Sequence, residues 1–142
     1  MVSGARIAEP GRRLCADWLR LAAARDWRGV RASLATAVVD GRLARQLVRT
    51  LVRRSDPPHG PDGDDFVVTV EAALAHDTTH RRAALSVPAL LIGGNVDMFF
   101  PEPVLRATAG RHMRLRVLPA GHGLPNRHAG RLQAELATFL AR

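Results

Sequence analysis

The sequence predicts an α/β fold in two parts, a helical region over residues 1–85 and a parallel strand–helix–strand–helix unit over residues 86–142. Three observations predict it. Before residue 85, apolar residues recur at the three- and four-residue spacing of a helix face. After it, Val87 to Ile92 is apolar without alternation, which is typical of strands covered on both faces of a parallel sheet. The 142 residues suffice for one domain with a real core.

Four helices are expected in the first region. Pro10 suits the first turn of the first helix, and Asp26 can cap the second. The third carries leucines on one face and arginines on the others. The segment Ser55 to Asp65 is a loop by its Pro, Gly and Asp content, and Phe66 to Ala75 fits a strand or a helix, of which we favour the helix. The apolar positions of the first three helices are Leu14, Trp18 and Leu21; Val30, Leu34 and Val38; and Leu43, Leu47, Val48 and Leu51.

The second region alternates strands and helices. The strand Val87 to Ile92 is followed by a short helix over Glu102 to Ala109, a strand over Leu115 to Leu118 and an amphipathic helix over Ala129 to Ala141. Two parallel strands and one long helix cannot cover both faces of a sheet. The pattern therefore predicts the last part of a larger sheet.

The composition restricts the class of protein. The net charge is +8 and every basic residue is Arg, but the arginines are scattered without a long run, and aromatic residues make up only 4%. Nucleic-acid binding is therefore a weak alternative. Cys15, the only cysteine, falls on an apolar helical stripe and is expected to pack in a core. A single cysteine, the absence of an apolar leader and the absence of a long apolar run predict a cytoplasmic protein without a membrane span.

Two polar residues follow the two predicted strands. Asp97 comes just after the first strand and His122, flanked by two glycines, just after the second. Sites in open α/β sheets form at the carboxyl ends of strands, and neighbouring strands are about 4.8 Å apart. An Asp beside a His fixes its tautomer and stabilises the imidazolium, as in a nucleophilic triad. The alternatives are a turn-capping Asp and a loop His without a catalytic task.

The two stretches that contain Asp97 and His122 resemble those of a known protein family. The stretches "VPALLIGGNVDMFFPEPVLRATAG" and "RLRVLPAGHGLPNRHAGRLQAELATFL" resemble the C-terminal end of an α/β-hydrolase. The resemblance implies that Asp97 is the triad acid, that His122 is the triad histidine and that the final helix belongs to the core. It also implies that residues 10–54 are a helical lid and that residues 65–86 return from that lid to the core. No metal or organic cofactor is implied.

The sequence departs from that family at the nucleophile. It contains no G-x-S-x-G, the motif that presents the family's serine. None of its four serines has the strand–turn–helix context of that motif: Ser3, Ser33, Ser55 and Ser86. We therefore expect the C-terminal portion of a hydrolase of ester, amide or C–C bonds, inactive alone, from a truncated frame, a gene remnant or a split enzyme.

Other residues have competing interpretations. Phe99 and Phe100 could line a substrate pocket or pack beside the strand end. The "HDTTH" stretch from His76 to His80 has two histidines at i, i+4, but it lacks a third ligand, so no metal site is predicted. The partners that remain open are a small-molecule substrate, once an N-terminal half completes the site, and a complementary chain at an open sheet edge. A non-catalytic interaction module is the alternative function.

Overall fold

The computed structural model describes residues 6–39, 41–54, 62–77 and 85–141. The chain divides into two compact units, Glu9–His76 and Met1–Ala8 with Asp77–Arg142. The division at His76 lies ahead of the expected boundary at residue 85, and the residues before Glu9 belong to the second unit. Each unit is described by itself.

The first unit contains the four expected helices, α1 (Glu9–Ala23), α2 (Trp27–Val38), α3 (Arg42–Arg54) and α4 (Asp62–Ala75). Asp26 caps α2, since its side chain accepts a hydrogen bond from the N–H of Gly29. The preferred helical interpretation of the "FVVTV" stretch is confirmed within α4. That helix begins inside the predicted loop, whose residues 55–61 lie outside the described part of the chain.

The core of this unit lies beneath α1. Cys15 and Trp18 are buried there, and the indole N–H of Trp18 donates a hydrogen bond of 2.9 Å to the hydroxyl of Ser33 on α2. The ring of Phe66 on α4 lies 6.3 Å from that of Trp18 and 6.2 Å from that of Trp27. Aromatic packing therefore joins three of the four helices.

Helix α3 has a row of exposed leucines. Leu43, Leu47 and Leu51 are 84%, 62% and 58% exposed. Val48 and Val52, on the neighbouring face, are half-buried. The periodicity predicted the helix correctly, but among the described residues only part of its apolar face is packed.

The second unit contains β1 (Ala89–Gly94), α5 (Glu102–Thr108), β2 (Met113–Leu118), a short α6 (Leu124–Arg127) and α7 (Ala129–Leu140). The two strands pair in parallel, with Ala89 opposite Met113 and Gly94 opposite Leu118. This confirms the predicted strand–helix–strand–helix order and the α/β class. Over the first four residues of β2 half-buried residues alternate with exposed ones, and the exposed ones are the two arginines, Arg114 and Arg116.

Several details of this unit differ from the sequence prediction. Strand β1 begins and ends two residues later than the predicted Val87 to Ile92, and β2 begins two residues before the predicted Leu115. Helix α6 was not predicted because its four residues are too few for a periodic signal. Helix α7 has the expected bounds within one residue, yet none of its residues is buried, and Leu136 and Leu140 are 43% and 79% exposed.

Within the described ranges, no helix is long and apolar enough to cross a bilayer.

Candidate active site

The tips of the two strands are joined by main-chain hydrogen bonds. The N–H of Asn95 donates to the carbonyl of Leu118 at 3.0 Å, and the N–H of Val96 donates to the carbonyl of Ala120 at 3.2 Å. At Gly94, a Cβ would overlap the carbonyl oxygen of Ala120. Glycine at this position therefore lets the end of β1 lie directly against the loop that carries His122.

Asp97 lies in the turn after β1, and both of its carboxylate oxygens have polar partners. The residue is 8% exposed. Its Oδ1 accepts hydrogen bonds from the N–H groups of Phe99 and Phe100, at 2.8 and 3.2 Å. Its Oδ2 lies 3.0 Å from Nδ1 of His122. The carboxylate is thus oriented by its own turn, and its second oxygen faces the imidazole.

Opposing effects act on the pKa of Asp97. Burial raises the pKa, because desolvation disfavours the charged carboxylate. The hydrogen bond with His122 and those from the N–H groups of Phe99 and Phe100 lower it, with the attraction of a charged imidazole, and together they outweigh burial. The pKa of Asp97 therefore lies below its ordinary value, and the group is a carboxylate at neutral pH.

The imidazole of His122 contacts neighbouring side chains and is also partly exposed to solvent. Its Nδ1 faces Asp97, and its ring lies 4.5 Å from that of Phe99 and 6.3 Å from that of Phe100, between ring centroids. Its side chain is 41% exposed. With an ionised carboxylate at Nδ1, the neutral imidazole carries its proton on Nδ1, so that Nε2 is the proton acceptor. The arrangement can therefore hold a proton acceptor in one orientation beside a fixed negative charge.

The structure brings together all four residues that the sequence nominated. Phe99 is buried, at 6% exposure, and Phe100 is half-buried. Both rings pack near His122, so the packing beside the strand end is observed, whereas a role in a substrate pocket stays a prediction. The catalytic roles of Asp97 and His122 likewise stay predictions, although the distance between them meets the geometric condition for a pair.

None of the described serines, nor Cys15, lies in the strand–turn–helix context of a hydrolase nucleophile. Ser33 lies within α2 and accepts the hydrogen bond from Trp18, and Ser86 is exposed in the segment before β1. Ser3 and Ser55 lie outside the described residues. Cys15 is buried in α1, where burial raises the pKa of its thiol despite the nearby charge of Arg12. A buried, protonated thiol is a poor nucleophile.

No metal site is found in the described part of the chain, where no three His, Cys, Asp or Glu residues cluster. His76 and Asp77 of the "HDTTH" stretch are described, and the last three residues of that stretch lie outside the described ranges. The low expectation of metal binding there stays a prediction.

Sequence reasoning missed a contact from the start of the chain. The N–H of Ala8 donates a hydrogen bond of 2.8 Å to the carbonyl of Phe99, and the neighbouring Ile7 is buried. Any residue except proline has the N–H group that this bond needs, so no residue type marks it in the sequence. The available signal was Ile7, a large apolar residue directly after Arg6 and two residues before Glu9.

The comparisons with known proteins agree with this geometry at the level of fold. No protein-family model matches the sequence, and no curated protein matches it. A hydrolase from Pseudomonas aeruginosa PA01 is similar in structure, with a TM-score of 0.66 and 16% identity, over 97% of this chain and 53% of that one. The enol-lactonase from Burkholderia xenovorans LB400 is similar with a TM-score of 0.68 and 22% identity, over 96% of this chain and 53% of the lactonase.

These likenesses show that the chain has part of the α/β-hydrolase fold. The chain spans about half the length of the two hydrolase structures. The expected partial fold is therefore confirmed.

Proposed function

We propose that Asp97 and His122 are the acid and the histidine of a hydrolase catalytic triad whose nucleophile comes from residues outside this sequence. The observation that carries the proposal is the 3.0 Å approach of Asp97 Oδ2 to His122 Nδ1, with Oδ1 held by two main-chain donors. The hydrolase fold and the half-length match support it. The absence of a G-x-S-x-G motif is the reason to look for the nucleophile elsewhere.

The mechanism follows from the roles of the two side chains. Asp97 remains ionised, holds the Nδ1–H tautomer and stabilises the imidazolium that forms in the transition state. His122 accepts the proton of the nucleophilic hydroxyl at Nε2, returns it to the leaving group and then activates water for the second half-reaction. One of the N–H groups that stabilise the oxyanion belongs to the residue after the nucleophile. In this proposal that residue, like the nucleophile, lies outside the sequence.

The bond class is that of an ester, an amide, a related acyl bond or a C–C bond beside a carbonyl. A lactone is the substrate we would test first, because one of the similar structures is an enol-lactonase. None of these reactions needs a metal or an organic cofactor, since a hydroxyl, an imidazole and a carboxylate supply the nucleophile and the proton transfers.

The test is complementation. The 142-residue chain is co-expressed with the part of the Burkholderia enol-lactonase that it does not match, and the purified complex is assayed with an aryl ester and an enol lactone. We expect hydrolysis that falls by about 10³-fold or more in His122→Ala. Gly110→Ala is the matched control, because a Cβ there meets nothing within 4 Å. Hydrolysis that is indifferent to His122→Ala would refute the proposal.

The chain alone provides the second arm of the same test. We expect the isolated chain to hydrolyse an aryl ester no faster than free imidazole, since it has no activated hydroxyl. Rapid hydrolysis by the isolated chain, lost in His122→Ala, would place the nucleophile within these 142 residues and overturn that part of the proposal.

A second candidate is an interaction module that pairs with a complementary chain without catalysis. The exposed leucines of α3 and the two-stranded parallel sheet favour it, because apolar helix faces and short parallel sheets are ordinarily covered. Both candidates predict pairing. Only the catalytic one predicts that His122→Ala abolishes turnover while the complex still forms.

A further inference from the structure

We infer that Phe99 is a positioning residue that aligns both members of the Asp97–His122 pair, and that residues 6–8, the N-terminal strap, hold Phe99 in place. The catalytic meaning of this inference rests on the proposed function. The alignment itself is a property of the chain and can be measured without a substrate.

Phe99 contacts both members of the pair and also the N-terminal strap. Its N–H donates to Asp97 Oδ1 at 2.8 Å. Its ring lies 4.5 Å from the imidazole of His122, at an interplanar angle of 52°. Its carbonyl accepts the N–H of Ala8 at 2.8 Å. One residue therefore contacts the acid through its backbone and the histidine through its side chain.

The ring contact restricts the imidazole. A centroid separation of 4.5 Å lies at the close end of the range for interacting aromatic rings. Phe99 is buried, so its own ring has little freedom to move away. His122 is otherwise exposed on one side, and a hydrogen bond to Asp97 alone would leave the imidazole free to pivot about that bond. The Phe99 ring therefore supports the orientation that keeps Nδ1 directed at Oδ2.

The neighbouring Phe100 is the natural comparison. Its N–H also donates to Asp97 Oδ1, but at the longer distance of 3.2 Å. Its ring is 6.3 Å from the imidazole and half-buried. The two phenylalanines therefore share a residue type and a turn but differ in how closely each side chain contacts His122.

The N-terminal strap acts on the backbone of Phe99. The side chain of Ile7 is buried at 8% exposure, whereas that of Arg6 is exposed. Burial of Ile7 fixes the strap, and the N–H of Ala8 then holds the carbonyl of Phe99. Because the N–H of the same residue binds Asp97, a fixed Phe99 backbone also fixes the carboxylate.

The experiment compares Phe99→Leu with Phe100→Leu in the full chain. The readout is the tautomer of His122, measured by ¹⁵N NMR in alkaline buffer on the neutral imidazole. We expect the wild-type chain and Phe100→Leu to hold the Nδ1–H tautomer alone. We expect Phe99→Leu to populate both tautomers, since leucine has no flat ring to support the imidazole.

Two results would overturn the inference. A pure Nδ1–H tautomer in Phe99→Leu would show that the ring does not align His122. Equal mixing in both variants would assign the effect to apolar surroundings rather than to Phe99. If Phe99→Leu does not fold, as judged by circular dichroism, Phe99→Met replaces it, because an unbranched side chain adapts to irregular space.

The strap is tested by Ala8→Pro, which removes the N–H donor and leaves Phe99 unchanged. We expect a folded Ala8→Pro chain to show more Nε2–H tautomer than Phe100→Leu and less than Phe99→Leu. A wild-type spectrum in that chain would exclude the strap from the alignment.

Failure of this inference is distinguishable from failure of the proposed function. If the complemented enzyme is active, Phe99→Leu should lower kcat about 10- to 100-fold with little change in KM, which is the loss expected from a misplaced catalytic group. If the complemented chain is inactive but the two Phe→Leu variants still differ in tautomer, the alignment stands and the catalytic role fails.

Discussion

The turn that carries Asp97 and the loop that carries His122 are held in different ways. The Asp97 turn is fixed by main-chain groups, with two N–H donors on Oδ1 and the N–H of Ala8 on the carbonyl of Phe99. The loop is tied to the turn after β1 near its start, through the carbonyl of Ala120, whereas the imidazole is held by side-chain contacts, with the carboxylate of Asp97 and the ring of Phe99. The acid is buried, and the histidine side chain is 41% exposed.

This difference matches the different tasks of an acid and a base. A fixed negative charge stabilises developing positive charge best when it need not reorganise, so a main-chain cradle suits Asp97. A proton acceptor must reach a reacting group, so an exposed ring suits His122. The asymmetry is what we expect if Asp97 orients and His122 transfers protons.

The largest expected effect is at Gly94, where the two turns meet. We expect Gly94→Ala to destabilise the chain by about 3 kcal/mol, because its Cβ would overlap the carbonyl oxygen of Ala120, which is backbone and cannot rotate away. Urea unfolding measures the change. Gly110→Ala is the control and should be neutral or slightly stabilising, since a Cβ there meets nothing. Equal stability of both variants would mean that the strand tip and the loop are not in close contact.

The next effect concerns how the free energy of unfolding changes as the pH falls. The pKa of Asp97 is lowered on folding, so its charge contributes stability above the ordinary Asp pKa of about 3.9. That contribution is lost as the pH falls through the lower, folded-state pKa. We expect the wild-type chain to lose more stability than Asp97→Asn between about pH 6 and pH 2, measured by urea unfolding at each pH. Parallel profiles would show that the carboxylate is not stabilised by its cradle.

The smallest effect compares Asp97 with Asp26, which also accepts a backbone N–H. Asp26 is exposed, and its carboxylate accepts the N–H of Gly29, at 2.8 Å, as the cap of α2. We expect Asp26→Ala to cost about 1 kcal/mol and Asp26→Asn only a few tenths, since both Asp and Asn are good caps. A cost for Asp26→Asn as large as that for Asp26→Ala would show that this cap depends on charge.

The sequence predicted the pairing of Asp97 and His122 because both follow apolar runs that end at the same edge of a parallel sheet. It predicted the long helices because their apolar spacing repeats over several turns. It could not predict the bond from Ala8 to Phe99, since main-chain donors leave no mark on residue type. Nor could it predict the exposure of Leu47, since periodicity gives the apolar face of a helix but not what covers that face.

The most direct test of the pair is the tautomer of His122 in the wild-type chain and in Asp97→Asn. The N–H groups of Phe99 and Phe100 require an acceptor at Oδ1. In Asp97→Asn the amide oxygen must therefore take that position, and the amide N–H₂ must face Nδ1 as a donor. We predict Nδ1–H in the wild-type chain and Nε2–H in Asp97→Asn, measured by ¹⁵N NMR of the neutral imidazole. The same tautomer in both chains would contradict the account.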